Sequence, residues 1–228
     1  MKKYIITLSI LTLFLSNKCE NQKNISVDVI WKNYLNTIAK KEVIDTIKTA
    51  YITDKSIYED GSFKIERKIK FPNKMYQKVD FSDGRNEVYI YNDNQGVVIK
   101  NGIKEKMNEE LLGLYKELSL IFPEFYYTEK KGDISYLGMF NEGNTEYFKI
   151  RINNNTNIDY LINKKTFELY KMVADDFEFI PVKREKTNGI NIMYEANMVI
   201  GKKDTTKIKI NEIIYNKMLN DTVFKIEY

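Results

Sequence analysis

Apolar residues recur at helical spacing from Ser26 onward. Ile30, Trp31, Tyr34, Leu35 and Ile38 form one stripe, and Ser26 or Asn24 stands where a cap belongs, with Asp28 in the first turn. The spacing predicts a helix over about 26–40. After Lys41 the period changes to two. Phe63, Ile65, Arg67, Ile69 and Phe71 alternate with Lys64, Glu66, Lys68 and Lys70, the signature of a half-buried antiparallel strand. Phe71-Pro72-Asn73 ends it, because proline cannot donate into a ladder. Met75, Gln77, Val79 and Phe81 begin the next alternation. Ser82-Asp83-Gly84 then turns the chain into residues 87–91, and Asn92 to Gly96 leads into Val97-Val98-Ile99-Lys100. Asn101-Gly102 is a strong two-residue hairpin signal.

A second helix is predicted over about 108–121, capped by Asn108 and carrying Leu111, Leu114, Leu118 and Ile121 on one stripe, with Phe122-Pro123 as its stop. Strands resume at roughly 133–140, 145–152, 157–163, 167–174, 177–184, 190–200 and 205–215. About ten strands joined as a meander form an antiparallel sheet that must hide one face and that curls as it grows. The expected class is therefore α+β: a strongly curved antiparallel sheet, an incomplete barrel, with two helices covering its concave face.

The N-terminus changes the charge picture. Met1-Lys2-Lys3 precedes an apolar run from Tyr4 to Leu15, shorter than the roughly 20 residues that span a bilayer. Two lysines before a short apolar stretch predict a signal peptide over residues 1–18. The single cysteine of the 228-residue chain follows at Cys19, and its setting resembles a bacterial lipoprotein signal, in which the exposed cysteine becomes the lipid anchor. Residues 19–25 then form a tether and 26–228 a single domain. Lys2, Lys3 and Lys18 face no acid within the signal, so the formal charge falls from +4 to +1 once it is removed. No basic cluster remains that predicts a nucleic-acid partner.

Composition narrows the chemistry. With no histidine there is no imidazole base, no Ser-His-Asp arrangement and no His metal ligand. One cysteine closes no internal disulfide and builds no thiolate zinc site. Asp175-Asp176, near Glu178, suggests a turn, since adjacent strand residues point to opposite faces. Glu109-Glu110 suits a helix N-terminus. No catalytic residue, metal site or cofactor is expected.

Two stretches carry a family resemblance. Lys70-Phe71-Pro72-Asn73-Lys74-Met75-Tyr76-Gln77, with Ser82-Asp83-Gly84-Arg85 and Val88-Tyr89-Ile90-Tyr91-Asn92, resembles the core of the outer-membrane lipoprotein-sorting, or lipoprotein-carrier-like, family. Asn216 and Asp221-Thr222-Val223-Phe224 resemble that family's C-terminal end. The resemblance implies a half-barrel whose apolar concave face accepts acyl chains under a helical lid. It places Phe63, Ile65, Ile69, Met75, Val88, Ile90, Val97 and Ile99 on the cavity wall, with Trp31, Leu114 and Leu118 from the lid. The family's carrier has an arginine before its Pro-Asn as a lid latch. Here Phe71 stands there, while Arg67 lies on the same face of the same strand.

The resulting expectation is a monomeric, non-catalytic, lipid-anchored protein of the bacterial cell envelope, at the outer membrane. It would bind an acyl chain or lipoprotein, with a role in outer-membrane lipoprotein trafficking, as an envelope-bound acceptor or a lipid-binding accessory protein rather than a free shuttle. The alternative is a secreted surface scaffold that holds partners on the convex sheet without a ligand.

Overall fold

The computed structural model describes residues 25–127, 134–153, 157–201 and 204–226. The signal peptide, Cys19 and most of the tether lie outside the described residues. The described residues open with α1 (Val27–Ile38), where Ser26 accepts from the Val29 amide as the N-cap. The short α2 (Lys41–Asp45) follows. A meander runs through β1 (Thr49–Tyr58), β2 (Gly61–Lys70), β3 (Lys74–Phe81), β4 (Asn86–Asn92), β5 (Gln95–Lys100) and β6 (Ile103–Lys106). Next come α3 (Glu109–Leu118), capped by Asn108, and α4 (Glu124–Tyr127).

The second meander comprises β7 (Ile134–Glu142), β8 (Thr145–Asn153), β9 (Asn157–Asn163), β10 (Leu169–Ala174), β11 (Phe177–Thr187), β12 (Ile190–Ile200) and β13 (Asp204–Tyr215). A single 3-10 turn, Asp221–Phe224, follows β13. All thirteen strands join one antiparallel sheet in the order β6-β5-β4-β3-β2-β1-β13-β12-β11-β10-β9-β8-β7. The two meanders meet where β1 pairs with β13, so the first and last strands form the middle of the sheet.

The expected count of about ten strands is therefore corrected to thirteen among the described residues. β1 has no clear apolar alternation in the sequence, because its inward positions are Ala50, Ile52, Asp54 and Ser56, two of them polar. β6 has four exposed residues and carries no hydrophobic period at all. Turn chemistry was more legible. Asn101 and Gly102 take φ values of 51° and 79° in the β5–β6 hairpin, as a primed turn requires. Asp175 and Asp176 form the turn between β10 and β11.

Helices cover one face of the sheet. On one half, Ile30, Trp31 and Tyr34 of α1 pack against Phe148, Ile150 and Ile152 of β8, with Tyr160 and Ile162 of β9. Burying each such side chain contributes on the order of 1.5–3 kcal/mol. On the other half, Tyr115 of α3 packs with Ala50, Ile69, Met75, Tyr91 and Val98. Between them α2, Phe122 and Phe125 lie over Ile190 and Ile192. The opposite face carries ion pairs such as Lys149 and Arg151 with Asp159, Lys68 with Glu66, and Lys78 with Asp80. The result is an open α+β half-barrel, apolar beneath its helices and laced with charge outside.

Candidate functional site

The helices do not fill the face they cover. Where α1, the α3–α4 junction and the middle strands converge, a cavity of about 210 Å³ remains. Engineered apolar cavities of about 150 Å³ already hold benzene, so this one has room for a ring or a short run of acyl chain. Tyr34, Thr37 and Ile38 of α1 form one wall, and Ile121, Phe122, Pro123 and Glu124 another. Ile192 and Met193 of β12 with Ile210, Ile213 and Tyr215 of β13 line the sheet side, and Leu169, Arg184 and Asn191 complete it.

Local sequence builds this gap. α3 ends at Leu118, and Pro123, which lacks an amide, stands immediately before α4, where its carbonyl accepts the Tyr126 amide at 3.0 Å. Phe122 is held against Tyr215 (centroids 5.7 Å) and edge-on to Phe125 (6.4 Å, 78°). Asn191 fixes α1 from the sheet side, its amide donating to the Thr37 carbonyl at 3.2 Å.

Two ionisable groups interrupt the apolar lining. Arg184 donates from Nη2 to the Leu169 carbonyl at 2.5 Å. Burial pushes the Glu124 carboxyl above the usual carboxylate range. Burial, and then the Glu124 charge, also raise the Tyr34 phenol well above its ordinary value, with Arg184 pulling the other way.

A polar ladder crosses the covered face beside the cavity. Arg67 donates to Asp54 Oδ2 at 2.6 Å and to Gln77 Oε1 at 2.9 Å. Gln77 in turn donates to the Tyr115 hydroxyl of α3 at 2.9 Å. Tyr115 stacks on Tyr89 (5.2 Å, 14°), whose hydroxyl bonds Glu87. Arg67 thus tethers a helix through Gln77, whereas Phe71 stacks its ring on Tyr126 of α4 at 5.0 Å. Ser119, at the end of α3, donates to the Pro72 carbonyl at 2.8 Å.

The cavity residues expected from sequence are dispersed by this register. Phe63, Ile65, Ile69 and Met75 lie on the helix-covered face, where Ile69 and Met75 pack with Tyr115. Trp31 is buried in the α1 core, edge-on to Tyr160 at 5.2 Å, and does not reach the cavity. Val88, Ile90, Val97 and Ile99 lie on the opposite face, because Tyr89, Tyr91 and Val98 are the residues turned toward α3. On that face the Asp221–Phe224 turn lies against β3 and β4. Asn92 Nδ2 donates to the Phe224 carbonyl and Lys70 pairs with Asp221. Leu114 and Leu118, on α3, are 51% and 40% exposed.

None of these eleven lines the cavity. The residues that do were hidden for separable reasons. Ile192, Ile210 and Ile213 sit in strands already assigned, but only the closure of β1 on β13 brings them under the helices. Glu124 and Arg184 carry no local motif. Among the described residues no cluster of three or more Asp, Glu, Cys or His can hold a metal ion.

The motifs quoted for the family have structural roles. Gly84 takes φ 89° in the Ser82–Arg85 turn, and Asp83 Oδ1 accepts the Arg85 amide at 3.0 Å. Asn216 takes φ 57°, accepts the Lys48 amide at 2.8 Å and donates to the Thr46 carbonyl at 3.1 Å, locking the entry to β1.

No family model matches the chain, and no curated protein matches it. Solved structures do. A LolA superfamily protein from Nitrosomonas europaea aligns with a TM-score of 0.60 at 10% identity, over 89% of this chain and 98% of that one. A putative outer membrane lipoprotein-sorting protein domain from Vibrio parahaemolyticus gives 0.59 at 8% identity, over 87% and 97%. A DUF1329 family protein from Desulfovibrio piger gives 0.56 at 13% identity, again over 87% and 97%. Near-complete coverage of each neighbour at these TM-scores means that this chain shares the fold of these structures.

Proposed function

We propose that this protein binds an acyl chain or similar apolar ligand in the cavity between α1, the α3–α4 junction and β12–β13, without catalysing a reaction. The observation that carries the proposal is the unfilled, mostly apolar space beneath the helices, about 210 Å³. The likeness in fold to a domain described as a putative outer membrane lipoprotein-sorting protein supports a ligand of this class. A role in outer-membrane lipoprotein trafficking belongs to the same proposal, as does anchoring of the chain to the cell envelope through acylated Cys19. Several acyl chains hold a protein on a membrane, each buried methylene adding about 0.8 kcal/mol.

Two experiments test it. Native mass spectrometry of protein purified from membranes should show a co-purifying lipid-sized adduct. Ile213→Phe, which places a ring in the cavity, should remove that adduct while leaving the fold intact. Wild type without any adduct, and unable to take up a fluorescent fatty acid, would overturn the ligand. Cys19→Ser should release the chain from the membrane fraction, and unchanged sedimentation with membranes would overturn the anchor.

A further inference from the structure

We propose that the cavity takes a single-chain amphiphile with an anionic head, and that Arg184 receives the head. The proposal rests on the cavity being a ligand site. Among the residues lining it, Arg184 is the one permanent cation. No carboxylate oxygen lies within 4.0 Å of its guanidinium among the described residues, and its described hydrogen bond goes to the neutral Leu169 carbonyl.

The backbone is built to bring it there. β11 shifts register against β12 twice in succession, between Pro181 and Lys183 and between Lys183 and Arg184. Bulges of this kind re-aim side chains, and they cluster beside functional sites. Around these shifts Val182, Lys183 and Glu185 are exposed, with Lys183 and Glu185 paired to each other at 2.6 Å, while Arg184 is half-buried on the cavity wall. Lys183 keeps a counter-ion on the surface, and Arg184 is turned in without one.

A half-buried guanidinium with one neutral partner has lost water without gaining a charge partner. A carboxylate or phosphate head would restore that balance through charge-assisted, potentially bidentate bonds, with the chain lying along Ile38, Ile192, Ile210 and Ile213. Glu124 lines the same cavity and stands too far from Arg184 to be its counter-ion. Burial raises its carboxyl above the usual carboxylate range.

The test is calorimetric titration of the full chain with decanoic acid, decanol and decyl phosphate. Wild type should bind the acid or the phosphate at least 10-fold more tightly than the alcohol, and the tighter of the two assigns the head as carboxylate or phosphate. Arg184→Met should bring that ratio to about one while keeping decanol affinity, and Arg184→Lys should keep part of the preference. Equal binding of acid, phosphate and alcohol by wild type would overturn the head-group role and leave the cavity proposal standing. A preference retained in Arg184→Met would do the same. If none of the three binds, both proposals fail. The wild-type comparison needs no variant to fold.

Discussion

The Gln77 side-chain amide on β3 donates to the Tyr115 hydroxyl on α3 at 2.9 Å, joining the sheet's polar ladder to the helix above it. Tyr115→Phe would delete the acceptor and leave the buried Gln77 donor unpaired, while the stack on Tyr89 survives. A buried donor left unsatisfied costs about 1–3 kcal/mol. Urea unfolding should show a loss of that size. Amide exchange should quicken selectively in α3, because its hold on β3 is what has been cut.

Asp54 is 1% exposed and pairs with Arg67 at 2.6 Å, and its Oδ1 has no partner. Burial raises its carboxyl above the ordinary range, and Arg67 only partly offsets this. Removing one member of a buried pair costs about 3–5 kcal/mol. Arg67 keeps Gln77 and some solvent, so Asp54→Ala should cost about 3 kcal/mol, the lower end of that range. Asp45→Ala, which breaks the exposed α2 pair with Lys41, should cost about 0.5 kcal/mol or less in the same unfolding assay.

Asp159 and Asp54 should respond to acid with opposite sign. Burial tends to raise the Asp159 carboxyl, but hydrogen bonds and charge from Arg151 and Lys149 outweigh it and hold it below the usual range. Its contribution is present above the ordinary carboxylate value and is lost as pH falls through the lowered one. Asp54, shifted upward, contributes most below the ordinary value and loses that contribution as pH rises through its own. Stability measured below about pH 5 should fall less steeply in Asp159→Asn than in wild type, and more steeply in Asp54→Asn.

The exposure of Leu114 and Leu118 separates two uses of apolar residues on helices. Both share a stripe with Leu111, so periodicity predicts that both are covered. Yet α3 buries Tyr115 and packs through Leu111 and Leu112 instead. Leu114→Ala and Leu118→Ala should each change stability by less than about 0.5 kcal/mol, as surface substitutions do. Trp31→Ala should cost about 3–5 kcal/mol, because Trp31 is sealed against Tyr34 and Tyr160.

What the chain disclosed in advance follows from which forces are local. The two long helices, the hairpin at Asn101-Gly102 and the strands from Phe63 onward depend on near neighbours, and their periods and turn residues are written in order. The pairing of β1 with β13 joins Ala50 to Tyr215 across most of the chain, and only that closure creates the space under the helices. The faces of β4 and β5 were inverted for a related reason. Ile90 and Val97 look like core because they are buried, but the remote Asp221–Phe224 turn lies on their side of the sheet, while Tyr89 and Tyr91 face the helix. Period two marks two faces without saying which one receives the helices.

That C-terminal turn yields the last prediction. Phe224 is fully buried, its carbonyl accepts from Asn92, and Asn220 caps the turn by accepting the Thr222 amide at 3.0 Å. If the turn acts as a plug over β3 and β4, Phe224→Ala should cost about 3–5 kcal/mol, as large-to-small aromatic changes in cores do. The loss should appear as new exposure around Ile90 and Val97, so hydrophobic-dye binding should rise in the native baseline. Asp221→Ala, which breaks only the solvent-facing pair with Lys70, should cost far less and leave dye binding unchanged. Ligand uptake, on the other face, should be spared by both at temperatures where the fold persists. A Phe224→Ala variant as stable as wild type would show that the segment merely rests on the sheet.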